Sequence, residues 1–210
     1  MSKEPGYEFT GERGVLRDAF AHVRSWPFWR NLTVWFCLFS VAGHWLEIGY
    51  CLVMDRLFGI VDPESLVWDD PLYPFIVYGV GVVVCAVFLV PLRDALARKL
   101  SGCMVPVFAF WLAASAVCLV MELTMGFLLN RPDPAGVYPL WDNSQLPGNV
   151  LGQAWLVNDI GLGAVATAFT FLVYPGLEQL ASWVPARAMD TVAAATIVGF
   201  VALCIVKFAV

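Results

Sequence analysis

The chain has 210 residues, of which 60% are hydrophobic and 14% charged, with a net charge of −5. A soluble domain is about 45–50% apolar and about 25% charged, so this composition, with a mean hydropathy of +0.75, excludes an ordinary soluble fold and requires lipid around the chain. There is no basic block, and nothing points to nucleic acid.

Residues 1–30 carry Lys3, Arg13, Arg17, Arg24 and Arg30. Val15, Leu16, Ala19, Phe20 and Val23 recur at helical spacing among these arginines. That pattern predicts a cytoplasmic, interfacial segment with an amphipathic helix lying on the membrane; a helix that docks a partner is the alternative. The charges and the missing apolar h-region argue against a cleavable signal peptide. Trp26, Phe28 and Trp29 form an aromatic belt before the first span.

Residues 31–210 read as one transmembrane domain, an all-α bundle of five helices. The apolar runs cover about 31–54, 71–92, 103–129, 151–174 and 189–210. Each approaches or exceeds the roughly 20 residues that cross about 30 Å of hydrocarbon as a helix. In lipid they must be helical, because only then are the backbone polar groups satisfied internally. The connection after the first span is acidic, with Asp55, Asp62, Glu64, Asp69 and Asp70. Pro132, Asp133, Pro134, Gly136, Pro139, Asn143, Pro147 and Gly148 make 130–150 a long ordered outer loop. Residues 175–188 read as an interfacial turn. Gly79, Gly81, Gly161 and Gly163 predict close helix approach.

Nine lysines and arginines fall in the N-terminal segment and in the connections after spans two and four, against three on the other side. The positive-inside rule then puts the N-terminus in the cytoplasm and the C-terminus outside a cell membrane. The six cysteines form no CxxC pair and read as small buried hydrophobes, with no disulfide framework and no metal site. No cofactor is expected.

Depth counting brings the polar residues together. At about 1.5 Å per residue, Glu47 lies about 24 Å beyond Asn31, and Glu122 about 28 Å beyond Cys103. Gln153, Asn158 and Asp159 lie at most about 12 Å below the outer end of the fourth span. Tyr78 falls at a similar level, and His44 shares a helix face with Glu47. The expected site is an outward-facing acidic layer of His44, Glu47, Tyr78, Glu122, Gln153 and Asp159, closed by Trp141, Asp142 and Asn149. An ionisable group at the bilayer centre costs about 2.5–3.5 kcal/mol on insertion scales. Such a layer suits a cation, a proton, or a polyhydroxylated or amine-bearing ligand. The same glutamates can instead end helices at the interface, or hold helices together.

Five stretches resemble one known family. Gly43-His44-Trp45-Leu46-Glu47 is similar to its GWLLE signature, and Pro74 with Tyr78-Gly79 to its P-x-x-x-Y-G. Glu122-Leu123-Thr124-Met125-Gly126 is similar to its E-L-x-x-G, Leu140-Trp141-Asp142-Asn143-Ser144 to its LWDYS, and Asn149-Val150-Leu151-Gly152-Gln153 to its N-L-x-G-Q/R. Together, over residues 35–175, they resemble the putative ABC-transporter type IV, or CmpB-like, small membrane permeases. His44, Asn143 and Asp159 depart from that pattern. The resemblance implies a transporter or permease component. The chain has no GxxxxGK[ST], so an ATPase partner would be a separate chain. A structural or regulatory subunit, alone or as a homo-oligomer, and a membrane enzyme acting on a lipid-linked substrate are the alternatives.

Overall fold

In the computed structural model the structure describes residues 23, 25–59, 70–102, 104–134, 136, 138 and 141–208. The expected surface helix within residues 1–30 falls almost wholly outside them, as do Asp62, Glu64 and Asp69. Five helices are long and apolar enough to cross a membrane: α1 (Trp26–Phe58), α2 (Ile76–Lys99), α3 (Met104–Leu129), α4 (Leu156–Trp183) and α5 (Ala186–Phe208). Their outward faces carry large apolar side chains such as Leu38, Trp45, Phe108, Leu172 and Val198, which fits lipid rather than water as the surrounding medium. The protein is an all-α, multi-pass membrane bundle.

α1 starts at Ser25, whose Oγ accepts from the Phe28 N–H at 3.3 Å, and stops at Gly59, in the left-handed region at φ 62°. Its 33 residues rise about 50 Å, so it outruns the apolar core at both ends. The first span was expected only over 31–54 because hydropathy registers the core and not the polar continuation of the helix.

Two helices carry a five-residue π segment, Cys85–Leu89 in α2 and Phe169–Val173 in α4. Each ends two residues before a proline, Pro91 or Pro175. A proline removes a backbone donor and clashes with the preceding turn, and a π turn is one way to absorb the mismatch. Here it keeps α4 helical through Pro175 to Trp183. Residues 175–183 are therefore helix, and the break expected over 175–188 shrinks to Val184 and Pro185.

The start of α4 also differs from the apolar run. Leu151 and Gly152 take positive φ, 56° and 69°, in a turn between β1 (Asn149–Val150) and β2 (Ala154–Trp155), which pair antiparallel. The helix begins only at Leu156, because Asn149 Oδ1 accepts the Gly152 N–H at 3.1 Å and fixes the turn first.

The chain forms two compact units. The first holds α1, α2 as far as Phe88, and the chain from Gly176 through α5. α1 and α2 run antiparallel in close contact: a Cβ on Gly79 would meet Ser40 Oγ and Phe36. α1 and α5 run parallel, with Arg30 on Asp190 at 3.0 Å and Phe36 against Phe200 at 5.9 Å. The second unit, Leu89–Pro175, holds the rest of α2, α3, the 130–150 loop and most of α4. α3 and α4 are antiparallel, and a Cβ on Gly163 would meet the Ser115 backbone N and Cα at 2.8 Å. Gly81 and Gly161 face open space, so two of the four glycines expected at helix contacts are not there.

Candidate functional site

In the second unit, Glu122 lies seven residues before the end of α3, about 10 Å along the axis. Asn158 and Asp159 lie in the first turn and a quarter of α4. Asn158 Nδ2 donates to Glu122 Oε2 at 3.1 Å. The Asp159 carboxyl, the Trp155 backbone N–H and the Asn143 side chain also lie within hydrogen-bonding reach of the Glu122 carboxylate. The Asp159 carboxyl faces that of Glu122. Asp159 is 1% exposed; as two carboxylates the acids offer each other no donor, and a proton on one lets them share a hydrogen bond. Asn158 Oδ1 is buried without a partner. A proton shared between the two carboxyls satisfies the pair, whereas two carboxylates held together without one would cost free energy.

The 130–150 loop closes over the end of α3 through a latch built on Asn130, which is completely buried. Asn130 Nδ2 donates to Trp141 O at 2.7 Å and to Gln153 Oε1 at 3.1 Å. Gln153 Nε2 donates back to Asn130 O at 3.1 Å. Trp141 Nε1 and Asn143 Nδ2 both donate to Gln153 O at 2.8 Å. Trp141 and Gln153 therefore spend their polar atoms on the loop itself. Asn149 does likewise, bonding Ser144 O, Leu146 O and Gly152 N–H. Asp142 is exposed and accepts from the Ser144 N–H at 2.8 Å; hydrogen bonds from Ser144 hold its carboxyl below the usual range.

His44, Glu47 and Tyr78 fall in the first unit. Tyr78 Oη donates to Glu47 Oε2, and Cys51 Sγ lies 3.7 Å from Glu47 Oε1. His44 is fully buried, 5.9 Å from the Phe75 ring, and neither ring nitrogen has a partner. Nearby Asp70 pairs with Lys207 at 2.8 Å, and that hydrogen bond holds the Asp70 carboxyl low. The site residues thus form one group in each unit. Among the described residues no cluster of three or more His, Cys, Asp or Glu is placed to hold a metal ion.

One network has no counterpart in the sequence reading. Arg30, 7% exposed, donates to Asp190 Oδ1 at 3.0 Å, to Ala186 O at 3.3 Å and to Asn31 Oδ1 at 3.1 Å. Asn31 Nδ2 and Trp35 Nε1 donate to Glu178 at 3.2 and 2.8 Å. It ties α1 to the end of α4 and the start of α5. Arg30 reads in sequence as one more interfacial base, and Glu178 as part of a turn. Asn143 and Asn130 were missed as partners of Gln153. Their one signal is an amide at each rim of a proline-rich loop.

The family model for putative ABC-transporter type IV proteins matches residues 34–208. The chain belongs to this family. No curated protein and no solved structure matches it. The matched region of the type IV chain runs from α1 through α5, beyond the 35–175 stretch that carries the sequence motifs. In the type IV motifs, the glutamates of the first and third, Glu47 and Glu122, each receive a hydrogen bond within their own unit. The loop motifs supply the latch and the turn before α4. Asp159, which departs from the motif pattern, is the acid that faces Glu122.

Proposed function

We propose that the protein is the membrane component of a transport system, a permease-type subunit that takes a small ligand or cation from the outer face at Glu122 and Asp159. The observation that carries this reading is the buried Asp159 carboxyl held against that of Glu122, seven residues before the end of α3. Membership of the type IV family favours transport over the enzyme and purely structural alternatives. In this reading the N-terminus is cytoplasmic and the C-terminus outside a cell membrane, on the distribution of basic residues. Energy would come from a separate ATPase chain. The Asn130–Gln153–Trp141 latch serves as an ordered rim over the site. Glu47 with Tyr78 forms a second acidic group whose part in transport is tested separately.

Equilibrium dialysis of purified full-length protein against radiolabelled sodium, methylammonium and sorbitol tests the reading. At least one probe should bind saturably, and Glu122→Gln or Asp159→Asn should weaken it at least ten-fold. Binding unchanged in both variants, or no binding of any probe, overturns it. Glu47→Gln in the same assay decides whether the first unit contributes.

A further inference from the structure

We propose that His44 is a proton-operated switch. Neutral, it lies sealed beside the Asp70–Lys207 pair; protonated, it takes Asp70 from Lys207 and unpins the end of α5 from the segment that leads into α2. All of these residues belong to the first unit, apart from Glu122 and Asp159.

The His44 ring is fully buried, and neither Nδ1 nor Nε2 has a hydrogen-bond partner. A neutral imidazole carries one donor and one acceptor, and burying both unpaired costs free energy. In this state the ring adds nothing polar to the fold, and an apolar ring would fill the place at lower free energy. Its surroundings are aromatic. The ring lies 5.8 Å from that of Trp45 and 5.9 Å from that of Phe75. Phe75 lies 5.4 Å from Tyr73, and Tyr73 lies 5.6 Å from Phe208. This chain of rings leads from α1, through the segment before α2, to the end of α5. There Lys207, next to Phe208, pairs with Asp70 at 2.8 Å. A positive charge on His44 acts on the same Asp70 carboxyl.

Protonation of His44 sets two cations against one carboxylate. An imidazolium at His44 is enclosed, and an enclosed charge without a counter-ion is the costlier of the two. Lys207 is 27% exposed, on a long stem that can carry its ammonium to water. Asp70 therefore turns to His44, and Lys207 turns to solvent. Histidine changes charge between about pH 5 and 8, where an aspartate and a lysine keep theirs. The other titratable groups around His44 are Glu47 on α1, Tyr73 before α2 and Tyr78 on α2. Glu47 is already engaged by Tyr78 Oη and Cys51 Sγ, which leaves Asp70 as the counter-ion.

The test is NMR of the full-length protein in detergent micelles between pH 5 and 8.5, with two probes. The chain has two histidines, His22 and His44, and three lysines, Lys3, Lys99 and Lys207. His22→Gln leaves His44 as the one imidazole signal. Reductive carbon-13 methylation, which keeps the charge, marks the lysines, and the signal lost in Lys207→Arg is that of Lys207. His44 should titrate within this range. The Lys207 signal should move with the same midpoint, toward the position it holds at every pH in Asp70→Asn. In His44→Gln it should stay at its paired position throughout; His44→Phe carries the same comparison where His44→Gln yields no folded protein. A His44 ring that does not titrate overturns the switch. So does a Lys207 signal that holds still while His44 titrates, or one that moves equally in the His44 variants. Movement abolished by Glu47→Gln with Asp70 intact makes Glu47 the counter-ion and overturns the exchange as well.

Discussion

Two glycines of α4, one half-turn apart, should respond to the same substitution with different signs. Gly161 faces open space, so an added methyl meets nothing within 4 Å. Gly→Ala in a helix interior there gains about 0.5–1 kcal/mol of propensity and backbone entropy. Gly163 lies against α3. A Cβ at that position would sit 2.8 Å from both the Ser115 N and Cα, where carbon contacts are favourable only near 3.5–4.0 Å. α3 and α4 would have to part by about 1 Å, and overpacking of this kind costs about 1–3 kcal/mol. The propensity gain is common to both variants and cancels in their difference. Gly163→Ala should therefore be less stable than Gly161→Ala by about 1–3 kcal/mol. Reversible unfolding in detergent micelles, followed by tryptophan fluorescence, measures it. The Ser115 contacts at 2.8 Å are to backbone, so adding Ser115→Ala should not restore stability. Equal stability of the two glycine variants, or full rescue by Ser115→Ala, refutes the close backbone approach.

Gln153→Leu should cost about 1–3 kcal/mol, because it leaves the buried Asn130 carbonyl without its donor, and the same unfolding assay reads it. Limited proteolysis should then cut the 130–150 loop faster than in the wild type. Asp70 has its carboxyl held low by Lys207, so this pair stabilises the fold above the ordinary aspartate range. That contribution is lost as pH falls through the lowered folded value. The Tm difference between wild type and Asp70→Asn should shrink toward zero below about pH 3, given an ordinary value near 3.9; a constant difference from pH 7 to 2 shows that the pair does not act through charge. Alkaline phosphatase fused after Val210 should be active and a fluorescent protein there dark, if the C-terminus is outside. Tyr78→Phe removes the donor to Glu47 and should destabilise the protein by about 1–3 kcal/mol in the same unfolding assay.

The five spans were legible because lipid forces a sequence to declare its apolar lengths. Their ends were not. Leu151 to Trp155 is as apolar as a helix start, but the Asn149 side chain and two positive φ values turn it into a hairpin. Pro175 reads as a stop, yet the π segment before it lets α4 continue. Depth counting set Glu122, Asn158 and Asp159 at one level, and Asn158 donates to Glu122, since rise per residue depends on nothing but helicity. Azimuth is different. Whether a glycine faces a neighbour or lipid depends on the partner helix, so Gly79 and Gly163 were right, Gly81 and Gly161 wrong, and Gly43, which lies against Tyr78, was not singled out. The same blindness hid the Arg30–Glu178 network, whose partners are about 150 residues apart.

The π segment of α4 also explains an arginine. In its wide turns the Tyr174 N–H bonds Phe169 O, five residues back. The next donor in that register would be residue 175, and its acceptor would be Thr170 O. Residue 175 is proline and has no N–H. Arg93 Nη1 fills the vacancy, donating to Thr170 O at 2.7 Å, with the guanidinium 5.8 Å over the Phe171 ring and paired to Asp94 at 2.8 Å. A planar guanidinium can bond a carbonyl, a carboxylate and a ring face together, whereas a lysine ammonium offers one compact point. Arg93 is thus fixed by the geometry of a proline on another helix and need not be there for topology. Removing it from the count leaves eight bases against three, and the proposed orientation keeps its sign.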